Sequence, residues 1–227
     1  FSKRFSGSYK VICIDVPGHG ESGVLADLHK MDEMAAVTDA VLQNEKIDSC
    51  VLFGHSMGGY VVMSFVENYP DKLKAYCLFH STCFADNEEK KDNRDREIAL
   101  VICGRKNQII HTNIPKGFAD LNLDSMGEEI QLAKEIAMAS SNDGTVALLR
   151  GMKDRKDHSD ALKRPSPPAL LIWGKRDNYI SEDVFTKLVE LAPHASIIVL
   201  KNSGHMGFIE EPDLVFSGIL NFLSSIE

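Results

Sequence analysis

The chain has 227 residues, 44% hydrophobic and 26% charged, with 25 Lys+Arg against 33 Asp+Glu and a net charge of −8. That length supports one substantial core without a disulfide or metal staple, and the acidic balance speaks against a nucleic-acid backbone as partner, which needs a basic surface. The longest apolar runs, such as Ala169–Trp173, fall far short of the ~20 residues of a membrane helix, so no membrane-spanning protein is expected.

Taken in order, the chain alternates β-rich runs with amphipathic stretches. Tyr9–Ile14 reads as a buried strand, ended by Asp15 and a Pro17-Gly18-His19-Gly20 turn. Met31, Met34, Ala35, Thr38, Val41 and Leu42 share one helical face. Ser49–Phe53 is the next strand, and Met57–Tyr69 is a helix stopped by Pro70 and Asp71. Ala75–Phe79 is a third strand and Ala169–Trp173 a fourth. The fourth is followed by a helix that Ser181 caps, with Glu182 and Asp183 in its first turn. Ser196–Leu200 is a fifth strand, and a last helix runs from Pro212 to about Leu223. Such alternation implies a parallel sheet covered on both faces.

Residues Cys83 to Pro165 break the rhythm. They open with a charged run, Asp86–Glu97, read as a solvated helix face, and continue through helical patterns at Ile98–His111, Glu128–Ala139 and Val146–Met152. They close at Pro165-Ser166-Pro167-Pro168, so an all-helical insertion between two strands is expected. The cysteines (Cys13, Cys50, Cys77, Cys83, Cys103) form an odd set without a C-x-x-C pair. Read as reduced thiols, with no apolar leader in Phe1–Lys10, they point to the cytoplasm.

Gly54-His55-Ser56-Met57-Gly58-Gly59 carries the chemistry, lying directly between a strand and a helix. A serine on so sharp a turn exposes its hydroxyl at the carboxyl edge of the sheet. Gly54 and Gly58 let strand and helix approach, and the helix amino end presents free N–H groups to a developing negative charge. A hydroxyl needs a base to become a nucleophile. His205 lies in a Gly-flanked loop after the last strand. Asp177, after a strand and a glycine, is placed to orient an imidazole. Of the other histidines, His55 is expected to point away from the site and His80, at a strand end, to line the pocket.

With Pro17-Gly18-His19-Gly20-Glu21-Ser22, the Ser56 turn, Gly174-Lys175-Arg176-Asp177 and Ser203-Gly204-His205-Met206, the chain resembles the α/β-hydrolases from Tyr9 to its end. The resemblance implies an α/β fold with a mostly parallel, doubly wound sheet. The hydrolase core is expected at residues 1–82 and 166–227, with a helical cap at 83–165. It implies a triad of Ser56, Asp177 and His205, with the Met57 backbone N–H as one oxyanion donor. The second donor of the family comes from a loop after an earlier strand. Those first strands do not precede Phe1, so that donor stays unassigned and a polypeptide beginning there is expected to be a weak enzyme.

The implied activity is cleavage of small carboxylic esters through an acyl-enzyme, under a cap whose Phe84, Ile110, Phe118 and Met138 line the pocket. Serine at the turn speaks against the dehalogenases and epoxide hydrolases of the family. Carbon–carbon bond hydrolysis, thioester cleavage and perhydrolysis on the same triad stay open. So does a small-molecule receptor with little turnover. No cofactor and no metal are implied, since Walker, H-E-x-x-H and C-x-x-C patterns are lacking. The partner is a small-molecule ester, neither nucleic acid nor membrane, and the oligomeric state is open.

Overall fold

Four apolar segments pair side by side in the computed structural model, which describes residues 1–226. They are β1 (Cys50–His55), β2 (Leu73–Phe79), β3 (Ala169–Gly174) and β4 (Ser196–Leu200). The sheet runs β1-β2-β3-β4 with every pairing parallel. Parallel strands put all their carboxyl ends on one edge. The register aligns those ends, pairing His55 with Phe79, Phe79 with Ile172 and Gly174 with Leu200.

Alternation along the strands fills two cores. Tyr76, Leu78, Leu171 and Trp173 face one side, packing with α1 (Met31–Asn44), α2 (Met57–Asn68) and α8 (Glu182–Leu191). Ala75, Cys77, Phe79, Leu170 and Ile172 face the other, against Val215, Ile219 and Phe222 of α10 (Pro212–Ser225). Both faces are therefore covered, as the near-continuous apolar runs of β2 and β3 require. Helix ends follow local chemistry. Ser181 Oγ accepts from Val184 N at the start of α8, and Pro212 occupies the first position of α10.

Between β2 and β3 the chain forms α3 (Glu88–Ile102), α4 (Lys106–Lys116), α5 (Gly127–Ala139), α6 (Asn142–Asp154) and α7 (Ser159–Leu162). Asn87 and Ser141 side chains cap α3 and α6. The end of α4 and the turn after it lean on the loops that follow β3 and β4. Asn178 Nδ2 donates to Lys116 O, and His205 N donates to Gly117 O at 2.7 Å. A short helix, α9 (Gly207–Glu210), completes the set.

Three expectations are corrected. Tyr9–Ile14 is no strand: among the described residues nothing pairs with it, and Val11 and Ile12 are exposed. Its apolar composition fits a strand, but a strand exists only through a ladder partner. The helical pattern at Ile98–His111 is two helices, because Gly104 adopts φ +75° and sends the chain off the end of α3. The charged run is not wholly solvated. Asp86 is buried between Arg94 and Arg155, and the Arg155 guanidinium lies 3.8 Å from the Tyr60 ring centroid. A buried carboxylate needs such partners.

Gly54 is where β1 and α2 cross most closely: a Cβ there would collide with the Gly58 and Gly59 backbone. Gly54→Ala is expected to lower stability by at least ~2 kcal/mol, since backbone cannot yield as a flexible side chain does. Urea unfolding of the purified variant measures it.

Candidate active site

Ser56 links β1 to α2 with φ +52° and ψ −119°, a left-handed geometry that a residue with a side chain rarely adopts. Neighbours hold it there. Its N–H donates to Phe79 O at 2.9 Å, and its carbonyl accepts from Ser81 Oγ at 2.7 Å. Met57 N–H opens α2, so the helix itself supplies it no acceptor. Among the described residues no hydrogen bond joins Ser56 Oγ to His205.

Asp177 lies three residues past β3, buried, and both carboxylate oxygens are occupied. Oδ1 accepts from Tyr179 N at 2.8 Å and Ile180 N at 3.0 Å, an Asx-type turn. Oδ2 accepts from His205 Nδ1 at 2.8 Å and His80 Nδ1 at 3.1 Å. Burial alone would raise its pKa, but hydrogen bonds from His205 and His80 hold it well below the usual carboxylate range. It is therefore a carboxylate ion throughout the physiological range.

His205, on the loop after β4, is also buried. Its backbone is clamped from two sides. His55 Nε2 donates to the His205 carbonyl at 2.7 Å, and Glu210 accepts from Gly204 N at 2.8 Å and Met206 N at 3.3 Å. Glu210 also accepts from Ala119 N at 2.6 Å and from Asn122 Nδ2, so one buried carboxylate joins the histidine loop to the helical insertion. The loop packs so closely that a Cβ on Gly204 would lie 2.7 Å from Phe118 C and Ala119 N.

The structure thus brings Asp177 and His205 into contact, with Ser56 on a strand end of the same edge. His55 does not point away: its ring centroid lies 5.0 Å from that of His205. Desolvation there, with His205 and His80 nearby, pushes its pKa down to about 3. His80 turns inward to the carboxylate. Among the expected lining residues, Ile110 and Phe118 are buried, Phe84 is half-buried against the core and Met138 is exposed. Two surface clefts, about 530 and 330 Å³, are lined by neither Ser56 nor any of these four. The smaller opens beside Asp177, and the larger lies between α3 and α6.

Sequence reasoning missed two contributors. The partnership of His80 with Asp177 follows only from β2 and β3 being neighbours. Glu210, one turn into the chain after His205, carries no sequence signal of its own. His80, Asp177 and His205 have the composition of a metal site, their ligand atoms all lying within 4.8 Å. Both imidazole Nδ1 atoms face the carboxylate as hydrogen-bond donors, however, and a cation would have to displace those two protons.

An imidazole fixed on an ionised carboxylate, at the sheet edge where a strained serine ends the next strand but one, is the equipment of a hydrolytic enzyme of the α/β class. The chain belongs to the alpha/beta hydrolase family, whose model matches residues 1–217. It is 28% identical over 216 residues to a dihydrolipoyllysine-residue acetyltransferase component of an acetoin cleaving system from Pseudomonas putida, covering 94% of this chain and 56% of that protein. It is 25% identical to a 2-hydroxy-6-oxononadienedioate/2-hydroxy-6-oxononatrienedioate hydrolase from Paraburkholderia phymatum, covering 96% and 77%. A thermophilic esterase from Thermogutta terrifontis superposes with a TM-score of 0.88 at 26% identity, covering 93% of this chain and 78% of that one. The protein is a hydrolase of the alpha/beta hydrolase kind. Among the described residues no helix is long and apolar enough to cross a membrane.

The lowered pKa of His55 has a consequence for stability. The fold keeps this imidazole neutral down to about pH 3, whereas in the unfolded chain it protonates near 6.5. The stabilisation is complete above pH 6.5 and is lost as pH falls from there towards 3. His80, likewise lowered, adds in the same direction. Tm is therefore expected to fall between pH 6.5 and 4, and to fall less steeply in His55→Gln, which keeps an N–H for the His205 carbonyl. Equal slopes in thermal melts across that range would contradict it.

Proposed function

We propose that the protein is a serine hydrolase of small carboxylic esters. Ser56 attacks the acyl carbonyl, His205 takes its proton and returns it to the leaving alcohol, and Asp177 orients His205 and stabilises the imidazolium. Met57 N–H steadies the oxyanion. The acyl-enzyme is then discharged by water through the same base. The observation that carries this reading is the Asp177–His205 pair, buried, charge-assisted and 2.8 Å long, at the edge where Ser56 ends β1.

Residues 83–165 act as the cap over this edge, and the contacts of the α4 end with the Asp177 and His205 loops support that role. Phe84, Ile110, Phe118 and Met138 are the candidates for shaping the acyl pocket. Phe84 is the first to test, since it follows the β2 edge directly. Five unpaired cysteines suit a reducing compartment, and we place the protein in the cytoplasm.

One second reading has a specific observation behind it. The Paraburkholderia phymatum relative is named a hydrolase of 2-hydroxy-6-oxo dienedioates, so carbon–carbon cleavage on the same residues is the alternative. Thioester cleavage, perhydrolysis and a slow-turnover receptor are separated from it by the same assays.

A fluorophosphonate probe is expected to label the protein once, on Ser56, and p-nitrophenyl esters of short acyl chains to be turned over. Turnover should fall on acidification, because a protonated histidine accepts no proton. Ser56→Ala should abolish labelling and cut turnover by at least about 10³-fold with the fold intact. Labelling that persists on another serine would sink the assignment. Labelling without ester turnover, with cleavage of a 2-hydroxy-6-oxo dienoate, would select the second reading.

A further inference from the structure

His80 is the most deeply buried of the ionisable groups around Asp177, with no exposed surface at all. It sits one residue past β2 with φ +48°, in the left-handed region that a residue with a side chain rarely adopts. Its own N–H still completes the sheet, donating to Ile172 O at 2.8 Å. The unusual backbone therefore does not come from a broken ladder. It turns the imidazole to the Asp177 side.

Both ring nitrogens are committed. Nε2 lies 3.2 Å from the Gly207 backbone N, which can only donate. Nε2 is thus the unprotonated acceptor, and the ring proton sits on Nδ1, facing Asp177 Oδ2 at 3.1 Å. Burial lowers the pKa of the ring despite the neighbouring carboxylate, in keeping with a neutral imidazole. Gly207 bears an independent mark of the arrangement: a Cβ there would lie 2.6 Å from His80 Nε2.

We propose that His80 is a positioning residue of the hydrolytic site, a neutral Nδ1–H imidazole that shares Asp177 Oδ2 with His205 and so sets how strongly the carboxylate holds the His205 imidazolium. The inference rests on the reading of Ser56, His205 and Asp177 as the reacting groups. His80 anchors the carboxylate oxygen from the β2 side while its Nε2 pins Gly207, two residues beyond His205. The donor and acceptor of the Asp177–His205 bond are thereby held by one ring. An oxygen that already accepts one N–H is a weaker acceptor for a second, so His80 tempers the hold of Asp177 on His205.

The other titratable groups facing His205 are His55, with ring centroids 5.0 Å apart, and Tyr179, also at 5.0 Å. His55 faces His80 as well, at 5.9 Å. All of these remain in the variants below.

The test has two arms. Long-range 1H–15N spectra of the eight histidines are expected to show one ring that stays in the Nδ1–H tautomer from pH 5 to 8, assigned by its loss in His80→Asn. An Nε2–H tautomer, or titration of that ring within the range, would overturn the proposal even if the enzyme proved inactive. In the second arm, His80→Leu is expected to lower kcat by about 10- to 100-fold, the size of a lost charge-assisted hydrogen bond, with KM changed less than about threefold. The midpoint of its acid limb should rise by about half a unit or more. His80→Asn, which returns a donor to Asp177 but no acceptor to Gly207, should restore the midpoint and part of kcat. His80→Leu and His80→Asn losing kcat equally, at an unmoved midpoint, would reduce His80 to packing. Should His80→Leu not fold, the spectra and the midpoint of His80→Asn decide. Turnover that survives in Ser56→Ala would instead bring down the triad reading, while the tautomer would still report on the His80–Asp177 bond.

Discussion

A single buried carboxylate organises the carboxyl edge of the sheet. Asp177 accepts four N–H groups, two from its own turn and one each from His80 and His205. A carboxylate out of water is stable only when its oxygens are so occupied, and each of these bonds is charge-assisted. The donors come from the end of β2, the turn after β3 and the loop after β4. Meeting the needs of one charge therefore fixes three connections in space, and with them the orientation of the His205 imidazole.

The sheet exists in a form that allows this. Parallel strands in aligned register deliver every carboxyl end to one edge, and two helical layers bury the faces that such strands leave apolar. The edge carries strain on neighbouring strands: Ser56 after β1 and His80 after β2 both have positive φ. Each is held by a cross-strand bond from its own N–H, Ser56 to Phe79 O and His80 to Ile172 O. The regular ladder thus stabilises two irregular residues side by side at the carboxyl edge. Glu210 extends the arrangement outward, bonding at once to the His205 loop and to Ala119 and Asn122 of the helical insertion.

Much of this was legible in the residues. Gly54 before Ser56 announces a close strand-to-helix crossing, though Gly58 is not required for it, since a Cβ there would meet nothing within 4 Å; Asp177 and His205 follow strands whose apolar runs are plain. Four of five expected strands form, as do the helices around Met31, Met57, Ser181 and Pro212. What stayed hidden depends on neighbours far along the chain. Tyr9–Ile14 has strand composition but no pairing partner among the described residues. Asp86 reads as solvated because Arg155, which buries with it, lies far along the chain, just past the end of α6. His55 and His80 could be placed at strand ends, but where their rings point is set by backbone angles and strand order. The break at Gly104 needed a φ value, not a composition.

The proposed roles of His205 as base and Asp177 as its partner are tested most directly by the acylation rate of Asp177→Asn. An amide has a single acceptor oxygen: turned to Tyr179 N and Ile180 N, it leaves its NH2 facing both imidazoles and favours the wrong tautomer of His205. Stopped-flow acylation of Ser56 by an activated ester at neutral pH is expected to slow by about 10⁴-fold relative to the unaltered chain, with the protein still folded. Acylation within tenfold of the unaltered rate would contradict a catalytic role for the Asp177–His205 pair.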